Sequence, residues 1–140
     1  MLILDTNVVS ELMRPESDAS VIAWVAKRPA SSLFLTTVTE AELRYGMALL
    51  PPGRRKSRLT QALEGVLRDD FAQRILPFDR DAARTYAEIV SHRRQRGRPI
   101  AQFDAQIAAI ARARDAGVAT RNKNDFSDCG IEVLNPWVDP

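Results

Sequence analysis

The 140-residue chain carries one cysteine and one histidine. A lone cysteine, Cys129, excludes an internal disulfide, and its neighbours form no catalytic pattern; a chain so poor in thiols suits a reducing cytosol. A lone histidine, His92, set beside Arg93 and Arg94 on an expected surface, argues against a Ser-His-Asp or Cys-His enzyme. It also argues against zinc, which draws on His and Cys. Neither GxGxxG nor GxxxxGKS/T occurs, so there is no glycine-rich phosphate loop. No apolar run approaches the roughly 18 residues of a membrane span. The first apolar run is broken by an acid and has no basic residues before it, so no secretory signal is expected. Repeats and low-complexity tracts are absent. The net charge of +2 is too mild to imply a nucleic-acid partner by itself; the arrangement of charge matters more than its total.

What is present is an ordinary globular composition, 45% hydrophobic and 27% charged, sufficient for a single domain over residues 1–140. Short runs at Leu2–Leu4, Leu33–Thr37, Ile75–Phe78, Val118–Thr120 and Ile131–Leu134 read as strands, rich in branched residues and bounded by polar or turn residues. Helical spacing appears around Val21–Val25, from Val38 to Leu50, from Lys56 to Arg74, from Asp81 to Arg94 and from Ile100 to Ala113. Pro51-Pro52-Gly53 stops the second of these, and Gly117 is placed to stop the last. Strands alternating with helices predict an α/β fold with a central parallel sheet of four or five strands covered on both faces. The tail from Asn135 holds two prolines and cannot be regular; Trp137 is expected to pack it down.

Against this frame several acids look out of place. Asp5 ends the first strand, and ligands of open α/β sheets bind beyond the carboxyl ends of strands. In the helix from Val38, Thr37 or Thr39 can cap, with Glu40 or Glu42 as reciprocal partner. At about 100° per residue the two glutamates diverge: Glu40 has Arg44 one turn on as an ion-pair partner, whereas Glu42 falls among Val38, Gly46 and Leu49. Asp104 lies inside the stripe Ile100, Phe103, Ile107, Ile110 and Ala111, opposite Gln102 and Gln106. Asn122 and Asp125 follow the strand at Val118–Thr120, in a stretch that reads equally as a polar turn. Buried charges are paired or hold metals. Carboxylates brought together need a cation, and an all-oxygen set selects Mg²⁺ or Mn²⁺. Such ions serve mostly phosphoryl chemistry. Two basic runs, Arg93-Arg94-Gln95-Arg96-Gly97-Arg98 and Arg54-Arg55-Lys56-Ser57-Arg58, are candidates to grip a phosphate backbone or are simply solvated loops.

Together these residues resemble the PIN-domain ribonucleases, in particular the VapC/FitB-type toxins of bacterial toxin–antitoxin pairs. The likeness rests on Leu2-Ile3-Leu4-Asp5-Thr6-Asn7-Val8, Thr39-Glu40-Ala41-Glu42-Leu43-Arg44-Tyr45-Gly46, Ile75-Leu76-Pro77-Phe78-Asp79, Asp104 with Ile107-Ala108-Ala109, Ala119-Thr120-Arg121-Asn122 and Asn135-Pro136-Trp137. It implies a three-layer α/β/α PIN-like fold and a Mg²⁺- or Mn²⁺-dependent endoribonuclease. Its first three acids match Asp5, Glu42 and Asp104, with Asp5 and Asp104 as metal ligands and Thr6 and Thr120 as supporting residues. The usual fourth acid falls at Asn122, a departure that Asp125 is placed to compensate and that bears on a second metal. The resemblance also implies an RNA substrate, a cognate VapB-like antitoxin whose tail covers the acidic site, and a homodimer or larger assembly; from the basic run, Arg93, Arg94, Arg96 and Arg98 are the candidates to hold the RNA backbone, and the single cysteine points to a cytoplasmic setting. Two alternatives stay open: a catalytically degenerate partner-binding module, and a phosphoacceptor domain using Asp5.

Overall fold

Three apolar residues make the first strand, β1 (Leu2–Leu4), and all three are buried. Alternation along a strand sends successive side chains to opposite faces. Accordingly Ile3 enters one core, while Leu2 and Leu4 enter another. The computed structural model describes residues 1–140 and continues with α1 (Thr6–Met13), α2 (Ala19–Ala26), β2 (Leu33–Thr36), α3 (Thr37–Ala48), α4 (Arg54–Gly65), β3 (Ile75–Leu76), α5 (Arg80–Gln95), α6 (Gln102–Ala113), β4 (Gly117–Ala119) and β5 (Val133–Leu134). All strands are parallel, in the order β3-β2-β1-β4-β5. Ile3 sits opposite Phe34 on one side and Val118 on the other.

Helices cover both faces of this sheet. One core gathers Val8, Val9, Val21, Trp24, Leu43, Leu63 and Leu67 over Leu2, Leu4, Leu33 and Leu35. The other gathers Ala82, Ile89, Ile107, Ala108, Ala109, Ile110 and Ala111 over Ile3 and Val118. Ala105, Ala108, Ala109 and Ala111 of α6 have no exposed surface, so α5 and α6 pack with their backbones close. Because β1 is central, the chain winds outward from it in both directions. The crevice beyond the carboxyl ends of β1 and β4 is the topological switch point, where such sheets bind ligands. No helix is long and apolar enough to cross a membrane.

The strands and helices fall where the sequence pattern places them, with physical exceptions; Gly117, expected to stop the last helix, instead opens β4, and the chain turns after α6 at Asp115, whose φ is 53°. A helix, α1, follows β1 directly: Asp5 is its N-cap, with Oδ1 accepting from Thr6 N at 2.8 Å, and Pro15 lies just beyond its end. The α3 cap is Thr36 rather than Thr37 or Thr39, because strand and helix join without a loop; its Oγ1 accepts from Thr39 N at 3.1 Å. The helix expected to reach Arg74 stops earlier. It passes through one π-helical turn at Val66–Asp70, then reverses at Gln73, whose φ is 61°. The Arg74 guanidinium donates to the carbonyls of Asp70, Ala30 and Leu33. β3 and β5 shrink to two residues each. Phe103, expected in the apolar stripe of α6, is 51% exposed, and Tyr45 of α3 and its C-cap Leu49 are each 66% exposed.

Candidate active site

Asp5 is fixed by its neighbours before any ligand is considered. It is 6% exposed. Oδ1 caps α1, while Oδ2 accepts from Thr120 Oγ1 at 2.8 Å and from Asn7 Nδ2 at 3.3 Å. Thr120, at the end of β4, is fully buried. Its one hydroxyl proton goes to Asp5, and its lone pairs accept from Asn7 Nδ2 at 3.3 Å and Asn122 N at 3.1 Å. All three bonding directions of that hydroxyl are therefore used. Thr120→Val should leave Asn7 and Asn122 each short of a partner and destabilise the fold by about 2 kcal/mol in urea unfolding, with the shape of the side chain conserved.

Glu42 is held in a parallel way from the other side. Thr6 Oγ1 lies 2.9 Å from Glu42 Oε1 and 3.0 Å from Thr39 Oγ1. A carboxylate only accepts, so the Thr6 proton points to Glu42 and Thr39 supplies its own proton to Thr6. Glu42 is thus oriented through one oxygen, and Oε2 is free. The surroundings are less apolar than its helical position suggests, since Leu49 faces solvent. Glu40 instead pairs with Arg44 at 2.8 Å, and Arg44 reaches Glu64 at 2.6 Å, which gives Glu40 the structural role its spacing indicates.

These elements enclose a cavity of about 440 Å³ lined by Asp5, Thr6, Asn7, Ser10, Glu11, Arg14, Glu42, Asp104, Arg121, Asn122, Asp125 and Trp137. Asp104 enters it from the first turn of α6. Burial, and next the charges of Asp5, Asp125 and Glu42, push its carboxyl up to about 6. Burial likewise raises Asp5, against the lowering effect of Thr120 and Thr6, with Glu42 and Asp125 adding to the rise. None of the nine ion pairs includes Asp5, Glu42, Asp104 or Asp125. No three of the acids close around a single point. Mg²⁺, however, is held by one or two carboxylates and keeps several waters. Asp5 and Asp104, facing one open polar cavity without a cationic partner, fit that kind of ion.

The cavity holds residues that sequence reasoning passed over. Asn7, Ser10, Glu11 and Arg14 share one face of α1, a spacing legible only once α1 is recognised as a helix. Glu11 is buried, accepting from Asp18 N at 3.0 Å and pairing with Arg14 at 3.2 Å. Trp137 packs the tail as expected and also lines the cavity, with Arg121 over its ring at 5.0 Å. The rim cations are therefore Arg14 and Arg121. The basic run 93–98 does not line the cavity, and it is not one exposed loop. Arg93 is buried, with its guanidinium occupied by main-chain carbonyls, so it is not free to hold RNA. Arg98 is engaged by Ser127 at 2.7 Å and by Asp128 at 3.6 Å. Arg94 and Arg96 are exposed, as is His92.

A five-stranded parallel sheet between helical layers, with acids gathered at its switch point, defines a three-layer α/β domain of the kind that handles charged ligands at strand ends. The PIN domain family model matches residues 2–131, and the chain belongs to that family. It is 42% identical to the VapC ribonuclease Y4jK of Sinorhizobium fredii over 137 residues, 98% of each chain. It is also 42% identical to the toxin FitB of Neisseria gonorrhoeae over 139 residues, 99% of this chain and all of that one. A solved structure of FitAB bound to an IR36 DNA fragment superposes with a TM-score of 0.94 at 40% identity, covering 100% of this chain and 98% of that one.

Proposed function

We propose that this protein is the toxin of a toxin–antitoxin pair and acts as a Mg²⁺- or Mn²⁺-dependent endoribonuclease in the cytoplasm. The observation that carries the reading is the pair Asp5 and Asp104, from the end of β1 and the first turn of α6, sharing one cavity with neither carboxylate in an ion pair. A divalent ion held there would polarise a phosphodiester and neutralise developing charge. Asp5 and Asp104 would hold the ion. Glu42 Oε1 stays on Thr6, while Glu42 Oε2 accepts a proton from the water that attacks phosphorus; the bridging P–O bond breaks and the departing oxygen takes a proton from solvent. Arg14 and Arg121 on the rim, with exposed Arg94 and Arg96 further out, hold the RNA backbone. Asp5 is nearly enclosed, with both oxygens already hydrogen-bonded, which disfavours a phosphoacceptor role.

Similarity to toxin FitB and to the FitAB complex supports a cognate VapB-like antitoxin as partner. A groove of about 430 Å³, with Met13, Pro15, Leu43, Met47, Leu59 and Ala62 in its walls, shares Ser10 and Arg14 with the acidic cavity. An antitoxin tail lying in it would run into the acids. Exposed Tyr45 of α3 and Leu49, its C-cap one turn on, favour self-association into a homodimer.

Calorimetry of Mn²⁺ binding, paired with RNA cleavage, tests the enzymatic reading. Wild-type protein should bind Mn²⁺ near neutral pH. As pH falls below about 6, Asp104 is protonated and affinity should drop by about tenfold per unit, since the ion competes with a proton for the same carboxylate. No binding and no cleavage would favour the degenerate binding module, which the amide at Asn122 also suggests.

A further inference from the structure

Arg93 is a buried cation with no carboxylate partner. It is 5% exposed. Nε donates to Arg98 O at 2.7 Å; Nη1 donates to Asp125 O at 3.0 Å and Ser127 O at 2.9 Å, with Cys129 Sγ at 3.8 Å. Burying an arginine that pairs with no acid is unfavourable unless its donors are met. Here Nε and Nη1 are met almost wholly by the main chain of two segments. One is the turn after α5. The other is the stretch after β4 that carries Asn122 and Asp125.

That second stretch is held from behind and free in front. Lys123–Phe126 form a 3₁₀ turn, Phe126 is anchored in the core at 1% exposure, and Arg93 fixes the carbonyls on either side of it. The Asp125 carboxylate has no ion pair, yet it borders the cavity beside Asn122. Its charge is felt by both Asp5 and Asp104. A guanidinium presents several donors in a rigid fork and can bridge divergent carbonyls, whereas an ammonium is a point charge on a flexible stem.

We infer that Arg93 is a positioning residue of the acidic site: by pinning the main chain of Asp125, it makes that carboxylate the fourth acid of the cavity, in the place that Asn122 leaves uncharged. This rests on the divalent-ion reading of the site. The test is a double-mutant cycle read by Mn²⁺ calorimetry near neutral pH on the full chain, without RNA. Asp125→Asn and Arg93→Met should each weaken Mn²⁺ binding by about tenfold, the scale of outer-shell changes at metal sites. The double variant should be no weaker than Asp125→Asn alone, and Arg93→Lys should recover part of the loss. A merely structural Arg93 would lower thermal stability equally in both backgrounds and leave the two affinity losses additive. Additive losses overturn the inference. If Arg93→Met does not fold, the same cycle is run with Arg93→Lys and judged on the same criterion. Unchanged binding in Asp125→Asn, with binding abolished in Asp104→Asn, overturns the inference and spares the ribonuclease reading. No Mn²⁺ binding by wild-type protein overturns both.

Discussion

Asp104→Asn is expected to lower RNA cleavage by about a thousandfold, about 4 kcal/mol of barrier, and at the same time to make the metal-free protein more stable. The two effects have one cause. Asp104 is half-buried beside Asp5, Asp125 and Glu42, and its carboxyl is pushed up to about 6 from an ordinary 3.8. A carboxyl raised on folding favours the folded state fully below its unfolded value, and that contribution is lost as pH rises through about 6. Wild-type and Asp104→Asn should therefore melt alike near pH 4. They should separate as pH rises, until the variant leads by about 3 °C at neutral pH. Thermal melts in chelator from pH 4 to 8 measure this directly. Added Mn²⁺ should reverse the order at neutral pH by raising Tm of the wild type alone. Equal melting at every pH, or full cleavage by the variant, would remove Asp104 from the site. The expected exchange of stability for activity is the usual signature of residues retained for function.

The sequence exposes the acids more readily than their supports. Asp5 is legible because an apolar run ends on it, and Asp104 because an acid among alanines contradicts the helical period. Both signals come from local patterning, which is strongest in buried elements. Glu42 was singled out on a weaker ground: Leu49, a supposed wall of its surroundings, faces solvent. What fixes Glu42 is the hydroxyl of Thr6, 36 residues earlier. Thr120 reaches Asp5 across 115 residues, a contact that exists only because β1 and β4 pair. Arg93 shows the opposite failure. A run of arginines reads as surface charge, yet the C-terminal turn of α5 directs one of them inward, where carbonyls from two loops meet it. Long-range pairing and the end geometry of helices decide these residues, and neither leaves a periodic mark. The α1 face of Asn7, Ser10, Glu11 and Arg14 is hidden for a simpler reason, since α1 spans only 8 residues and is too short to show a helical period.

Asp5→Ala and Asp5→Asn should both abolish metal-dependent cleavage, but they should part in stability, and the gap measures how far Asp5 is structural. Alanine removes the cap of α1, a loss of about 1 kcal/mol. It also strands the buried Thr120 hydroxyl and the Asn7 amide, so the total is expected at about 3 kcal/mol in urea unfolding. Asparagine caps as well as aspartate does. It cannot, however, satisfy both sides. With its oxygen toward Thr6 N, its amide faces Asn7 Nδ2 and a Thr120 hydroxyl that already accepts two bonds; turned round, its amide faces Thr6 N. One donor meets another either way, a loss of about 1 kcal/mol, partly offset because the repulsion from Glu42 and Asp125 is gone. The expected order is thus wild type, then Asp5→Asn, then Asp5→Ala, with Mn²⁺ no longer raising Tm in either variant. If the two variants were equally stable, the cap and the Thr120 bond would be energetically idle, and Asp5 would be held in place only by the strand that ends on it.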